Sequence, residues 1–325
     1  QKTAYEITYG DWSSDVCSSD LYLRIDDFSG SAADGFHADL ASLLDQGARA
    51  IVIDLRDDPG GFVDAAAQIA SELVASGPVF WEEDASGRRT PTEASGDGIA
   101  TDPAVPVVVL VNGGTASASE ILAGALQDHD RAVIVGDSST HGKGTVQTVQ
   151  ELGALLSGLK DAGAAKVTIR KFYRPSGSST QLKGVVPDIV LPSVENHMDV
   201  GESSLENALS WDTIESSKFS KDGDISRVVS DLRKRSEERV TQDRDFDYVR
   251  EDAERYRKIK EDKTVSLNES VRRKEIADNK ARSEARKKEQ ADRKATLPTT
   301  WEITLKVADQ AGLPPAMTSS PSLSK

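Results

Sequence analysis

The strongest constraint on the fold is an alternation of two kinds of segment. Ala48-Arg49-Ala50-Ile51-Val52-Ile53-Asp54-Leu55 is a mostly apolar run with a β-branched centre, closed by Arg56-Asp57-Asp58-Pro59-Gly60-Gly61, and Phe62 to Ala75 then carries apolar residues at helical spacing. The pattern returns where Val107 to Val111 is closed by Asn112-Gly113-Gly114 and followed by the helix-forming stretch Glu120 to Gln127, and Ala132 to Val135 opens a third unit. Apolar runs without polar alternation are buried on both faces, as strands are in a parallel sheet covered by helices. The expected class is therefore α/β, with βαβ units around a mainly parallel sheet. Tyr22-Leu23-Arg24-Ile25 reads as a further strand, and Phe36 to Gln46 as a helix with Phe36, Leu40, Leu43 and Leu44 on one face. Phe80 to Pro103 is polar and reads as a hairpin or loop insert, Lys166 to Tyr173 alternates like a strand, and Gly184 to Pro192 holds a short edge strand because Pro187 cannot donate to a ladder.

Beyond about residue 195 the composition changes. Trp211, Ile214, Phe219, Ile225, Val228, Val229 and Leu232 are spaced for helices, and Glu269 to Lys294 is almost entirely Lys, Arg, Glu, Asp and Ala, as in a solvated helix with mixed-sign pairs. Leu297 to Leu313 could add a short strand before a disordered Ser/Pro-rich end. The 325 residues carry a formal charge of −14, which argues against nucleic acid as a partner, and only 37% are hydrophobic, which is low for one compact globule and points to two domains. No apolar run approaches the roughly 20 residues of a membrane span, and Gln1-Lys2-Thr3-Ala4-Tyr5 lacks the apolar core of a signal peptide.

Residues 10–21, Gly10 to Leu21, are anomalous: they look like the in-frame translation of a common sequencing-library adapter, and they hold the only cysteine, Cys17. With that segment excluded from fold reasoning, residues 1–9 are a truncated upstream segment. A cysteine-free remainder fits both an oxidising compartment without disulfides and the cytosol.

The chemistry gathers between Asn112 and Lys143. Ser117 stands where a strand–turn passes into a helix, so free N–H groups and the positive end of the helix dipole surround it. On its own it would be an ordinary helix N-cap serine. Gly60 and Gly61 close another strand end of the same sheet, and their N–H groups, with that of Ala118, could receive a developing oxyanion. A base is needed to activate the serine. Lys143, between Gly142 and Gly144, could serve if burial lowers its pKa. His141 is an alternative, whereas His37, His129 and His197 fall on polar loops or helix surfaces. A phosphate-binding loop is excluded at Lys143, because Gly144 stands where such a loop needs Ser or Thr.

Four motifs in order carry a resemblance: Asp54-Leu55-Arg56-Asp57-Asp58-Pro59-Gly60-Gly61, Thr115-Ala116-Ser117-Ala118-Ser119-Glu120-Ile121, Gln127-Asp128, and Thr140-His141-Gly142-Lys143-Gly144-Thr145-Val146-Gln147. Over residues 22 to about 195 the chain resembles the carboxyl-terminal processing peptidases. Lys171-Phe172-Tyr173-Arg174, Ser179 to Asp188, and the charged helices that follow point to the tail-specific protease branch. The resemblance implies a ClpP/crotonase-like catalytic domain over 22–195 and a charged helical C-terminal domain over 196–325. It implies a serine endopeptidase with Ser117 as nucleophile, Lys143 as general base and Gln147 orienting that lysine, Gly60 or Gly61 with Ala118 as oxyanion donors, and Glu120 and Thr140 positioning the turn and the lysine. Lys143 and Gln147 can meet if that segment is helical and cannot if it is extended. Asp128 matches an aspartate counted with the family's active site, but lies about 16 Å along a helix from Ser117 and is read as supporting structure.

The resemblance further implies protein substrates with apolar C-termini, room for an adaptor protein and for peripheral membrane association, a periplasmic location, and neither cofactor nor metal. Three departures stand out: Thr115 replaces a frequent serine, the loop Asp137 to His141 is one residue longer than usual, and the substrate-sensing PDZ domain expected upstream is missing. A catalytically impaired scaffold or partner-binding fragment is the competing reading.

Overall fold

The computed structural model describes residues 20–45, 47–155 and 163–293. Most of the adapter-like segment, Cys17, and the stretch Leu297 to Leu313 with the Ser/Pro-rich end lie outside them. The order is β1 (Asp20–Arg24), α1 (Ala32–Asp45), β2 (Ala50–Asp54), α2 (Val63–Ser71), β3 (Pro78–Asp84), β4 (Arg89–Glu93), β5 (Val107–Val111), α3 (Ala118–Asp128), β6 (Val133–Gly136), β7 (Thr145–Glu151), α4 (Leu152–Leu155), β8 (Ala164–Tyr173), β9 (Ile189–Val190), α5 (Ile225–Gln242), α6 (Arg244–Asp262) and α7 (Glu269–Asp292). β1 begins at Asp20, inside the segment set aside above, and Asp20 and Leu21 pair with Ala50 and Ile51.

The apolar runs form a five-stranded sheet in the order β1-β2-β5-β6-β9, all pairs parallel. Ile51, Ile53, Val107, Val109, Val111 and Ile134 are fully or almost fully buried in it, packed against Phe36 and Leu40 of α1, Ile69 of α2 and Leu122 and Leu126 of α3. The class is the expected one, a parallel-sheet α/β core followed by a helical C-terminal region. The expected hairpin insert is β3 and β4, and β9 is the expected edge strand. The sequence reading had no place for β7 or for a second sheet. In Thr145-Val146-Gln147-Thr148-Val149 the two adjacent polar residues Gln147 and Thr148 break the alternation that marks a strand; the segment pairs antiparallel with β8, with a register shift between Val146 and Gln147, in a four-stranded sheet ordered β4-β3-β8-β7.

The C-terminal region differs from expectation at its start. Trp211, Ile214 and Phe219 are not on a helix; residues 205–224 form an extended strap. Its anchors are Trp211 Nε1–H to Ser179 O at 2.9 Å, Lys171 to Asp212 at 2.6 Å, Ile214 N–H to Gly177 O at 2.8 Å, and Trp81 Nε1–H to Ser217 Oγ at 2.7 Å. These tryptophans and backbone groups tie the strap to β3 and to the loop after β8, so local helical spacing is overridden by tertiary contacts. α7 is solvent-facing, with Val271 and Ile276 exposed. It docks on α6 through Arg286, which bridges Glu251 and Asp252, and through Arg293 to Asp245. Among the described residues no helix is long and apolar enough to cross a membrane.

Candidate active site

The turns that follow β2 and β5 meet at the carboxyl end of the sheet, where open α/β sheets collect their sites. Asn112 joins them: its Oδ1 accepts the N–H groups of Asp57 at 2.9 Å and Gly114 at 3.0 Å, and its Nδ2 donates to Asp57 Oδ1 at 2.7 Å. Thr115, fully buried, donates its hydroxyl to Leu55 O at 2.7 Å and accepts the N–H of Asn112 at 3.0 Å. A serine hydroxyl could make the same pair of bonds, which is why threonine is tolerated here.

Ser117 follows as the N-cap of α3 with φ 60 and ψ −113. A side-chain-bearing residue with positive φ is strained, and such strain persists only where neighbours fix it. They do so on both sides: Ala116 N–H donates to Asp58 O at 2.9 Å, and Ser117 N–H donates to Glu120 Oε2 at 2.8 Å. A sharp turn of this kind between strand and helix lifts a serine out of the sheet.

Glu120 is the hub of the site. Wholly buried, it accepts four donors: Ser117 N–H and Lys143 N–H on Oε2, at 2.8 and 2.9 Å, and Gly142 N–H and the Thr140 hydroxyl on Oε1, at 2.7 and 2.5 Å. Burial pushes its carboxyl up to about 7 against the pull of those donors. One side chain on the helix that Ser117 caps thereby holds the backbone of the Lys143 loop. That loop is further fixed by His141 N–H to Thr115 O at 2.9 Å, Leu182 N–H to Gly142 O at 2.7 Å, Gly144 N–H to Gln181 Oε1 at 2.9 Å, and the Thr180 hydroxyl to Lys143 O at 2.9 Å. The segment Asp137 to His141 has its own anchors, Gly113 N–H to Asp137 Oδ2 at 3.2 Å and Ser138 N–H to Asn196 Oδ1 at 2.6 Å.

Lys143 is half-buried, and its pKa is lowered from 10.5, chiefly by that burial and then by the like charge of Lys166, against the opposing carboxylates of Glu202 and Glu120. A lysine so placed reaches its neutral, basic form at lower pH than a free one. Its ammonium has no ion pair and no hydrogen bond among the described residues, and in particular none to Ser117 Oγ. His141 lies 3.7 Å from Glu202. His129 is not on a surface as expected; it is fully buried, 2.9 Å from Pro78 O and 3.3 Å from Asp222, with the Phe219 ring packed against it at a tilt of 39°.

Of the expected oxyanion groups, Gly60 and Ala118 are brought together. A Cβ on Gly60 would stand 2.8 Å from Ala118 N and 2.9 Å from Ser117 Cβ, and Gly60 has φ +90, so only glycine leaves this space open. The Gly60 N–H, however, donates to Asp58 Oδ1 at 2.8 Å. Its contribution is the missing side chain, and the N–H groups of Gly61 and Ala118 remain without a partner among the described residues. Gln147 is not brought to Lys143. It is exposed on β7 and donates to Thr168 Oγ1 at 3.4 Å, with no hydrogen bond to Lys143 among the described residues. Asp128 closes α3 in an ion pair with Arg174 at 2.5 Å and accepts Ser176 N–H at 3.0 Å, so it joins the helix end to the loop after β8. The residues that sequence reasoning did not single out are Asn112, Gln181 and Asp58, whose roles depend on contacts far along the chain.

Comparison with known proteins gives two family matches. The sequence model of Peptidase family S41 matches residues 21–191, and that of the C-terminal domain of tail specific protease matches residues 196–312. The chain is 35% identical over 248 residues to the tail-specific protease of Haemophilus influenzae, covering 75% of this chain and 35% of that protein. It is 43% identical over 163 residues to a carboxy-terminal-processing protease of Bartonella bacilliformis, covering 47% of this chain and 35% of that protein. Among solved structures, the photosystem II D1 C-terminal processing protease is 37% identical with a TM-score of 0.47, covering 53% of this chain and 42% of that one. The chain thus spans about a third of the length of these two curated relatives.

Proposed function

Since the chain belongs to peptidase family S41, we propose that it carries the catalytic part of a serine endopeptidase that degrades or processes proteins recognised by apolar C-terminal tails. In this reading neutral Lys143 takes the proton of Ser117 Oγ as that oxygen attacks a peptide carbonyl. The N–H groups of Ala118 and Gly61 receive the oxyanion in the space that Gly60 leaves open. Lys143 then hands its proton to the leaving amine, and a water repeats the cycle on the acyl-enzyme. Gly60 shapes the pocket, Glu120 and Thr140 hold the two loops in register, and Asp128 stabilises the end of α3.

The observation that carries the reading is the buried Glu120 carboxylate, which accepts backbone N–H groups from both Ser117 and Lys143. Nothing about a structural N-cap serine requires its cap partner to hold a distant lysine loop. The competing reading, a catalytically idle scaffold or partner-binding fragment, is favoured by one observation: Ser117 Oγ and Lys143 Nζ are not hydrogen-bonded, although such bonds often close only on substrate binding.

Matched unfolded reporters ending in apolar or acidic tails test the proposal. Cleavage of the apolar-tailed reporter, lost in both Ser117→Ala and Lys143→Ala, supports it; cleavage that survives both changes rules out the dyad. The proposed compartment is the periplasm, as the tail-specific branch implies, and fractionation of cells carrying the whole gene checks it.

A further inference from the structure

Asp58 sits beside the proposed nucleophile in surroundings that suit a neutral acid and not an anion. It is completely buried. Its Oδ1 accepts one N–H, that of Gly60 at 2.8 Å, and its Oδ2 has no hydrogen-bond partner. The charged groups that face it from the loop after β1 are Asp26 and Asp27, both of its own sign; from α3 it meets the hydroxyl of Ser119. A buried carboxylate is stable when a cation or several donors surround it, and no cation among the described residues faces Asp58.

The same residue is fixed to the nucleophile's turn. Its carbonyl accepts Ala116 N–H at 2.9 Å and the Ser119 hydroxyl at 3.2 Å, one residue before and two after Ser117. Gly60, which its side chain holds, is the residue whose absent Cβ leaves room between Ser117 Cβ and the Ala118 N–H. One residue of backbone separates the Asp58 carboxyl from the space in which an oxyanion would form.

We propose that Asp58 is a positioning residue that works as a neutral carboxylic acid: it holds the Gly60 backbone against Ser117, and its ionisation places a buried negative charge behind the oxyanion pocket and slows attack. The inference rests on the reading of Ser117 as nucleophile. Burial pushes the Asp58 carboxyl up to about 7, so the neutral form gives way to the anion as pH rises through neutrality. An uncompensated charge at this remove, in a medium of low effective dielectric, opposes a second negative charge by on the order of tenfold in rate.

The test uses the full chain, a fluorophosphonate probe that reacts with activated serines, and Asp58→Asn, which keeps the shape and cannot ionise. The ratio of labelling rates, Asp58→Asn over wild type, removes the common contribution of Lys143. It should stay near one at acidic pH and climb to about tenfold as pH rises through 7. A flat ratio, or a folded Asp58→Asn chain that is unlabelled at every pH, overturns the proposal while leaving Ser117 as nucleophile. Failure of the wild-type chain to label at Ser117 sinks the functional reading and this inference with it. Should Asp58→Asn not fold, carbon-13 labelling of aspartate side-chain carboxyls in the wild-type chain decides. A resonance assigned to Asp58 that titrates near neutral pH supports the neutral acid, and one already ionised at acidic pH overturns it.

Discussion

Lys143 donates its backbone N–H to Glu120 Oε2 at 2.9 Å, on the oxygen that also holds Ser117 N–H. Glu120→Gln replaces one acceptor oxygen with a donor that faces other donors, and unsatisfied buried groups cost about 1–3 kcal/mol each. Labelling of Ser117 should fall by roughly 100-fold, since the loops lose their fixed separation, and urea unfolding should show a loss of about 3 kcal/mol at mildly acidic pH. The sign of the pH dependence is specific. Native Glu120, raised to about 7, keeps a proton that the unfolded chain releases near its ordinary value of 4.5. Its contribution to stability therefore declines as pH rises through that window, while the carboxylate that organises the site fills in. The stability advantage of wild type over Glu120→Gln should shrink between about pH 4.5 and 7, and labelling of the wild type should rise.

Lys166, exposed on β8, lowers the Lys143 pKa by like charge, second to burial. Lys166→Glu replaces repulsion with attraction and favours the ammonium form of Lys143. The rising limb of the labelling-rate profile should move to higher pH, with the plateau unchanged. A profile that does not move would mean that the titrating base is not Lys143.

Gly60→Ala puts a methyl 2.5 Å from Ala116 O and 2.9 Å from Ser117 Cβ at a position with φ +90. The backbone must shift, so labelling should fall by about 100-fold to 1,000-fold, comparable to losing an oxyanion donor. Stability should fall by about 2 kcal/mol in thermal or urea unfolding.

Asp128→Asn removes the charge that pairs with Arg174, two side chains only 11% and 14% exposed. Leaving a largely buried guanidinium without its counter-charge should cost about 2–4 kcal/mol in urea unfolding. The labelling rate of the folded fraction should change less than about twofold, because Asp128 lies at the far end of α3, some 16 Å along its axis from Ser117. A large rate loss with little loss of stability would return Asp128 to the catalytic group.

The parallel core and the two turns that bear Ser117 and Gly60 were legible because apolar runs and glycine-rich closures are local signals. Ser117 was legible as a candidate from its turn and Lys143 from the glycine-flanked loop after β6, and their joint role came from the resemblance. What the chain did not disclose depends on distant partners. β7 needed β8 to become a strand, and its extended form is why Gln147 points to Thr168 and not to Lys143. The strap at Trp211 to Phe219 mimics helical spacing but is held by Ser179, Gly177 and Pro175. His129 looked like a surface residue until Asp222 and Phe219 covered it. Asp58 looked like one more turn aspartate, and only burial makes it distinctive.

The most direct measurement is the site and base dependence of covalent labelling. The full chain is treated with a fluorophosphonate near pH 8, digested, and the adduct mapped by mass spectrometry in wild type, Lys143→Ala and His141→Ala. The adduct should sit on Ser117 and not on Ser119 or Thr115. It should form more than about 100-fold more slowly in Lys143→Ala, as loss of a general base requires, and at nearly the wild-type rate in His141→Ala. An adduct that persists at full rate without Lys143, or that disappears with His141, would contradict the Ser117–Lys143 dyad.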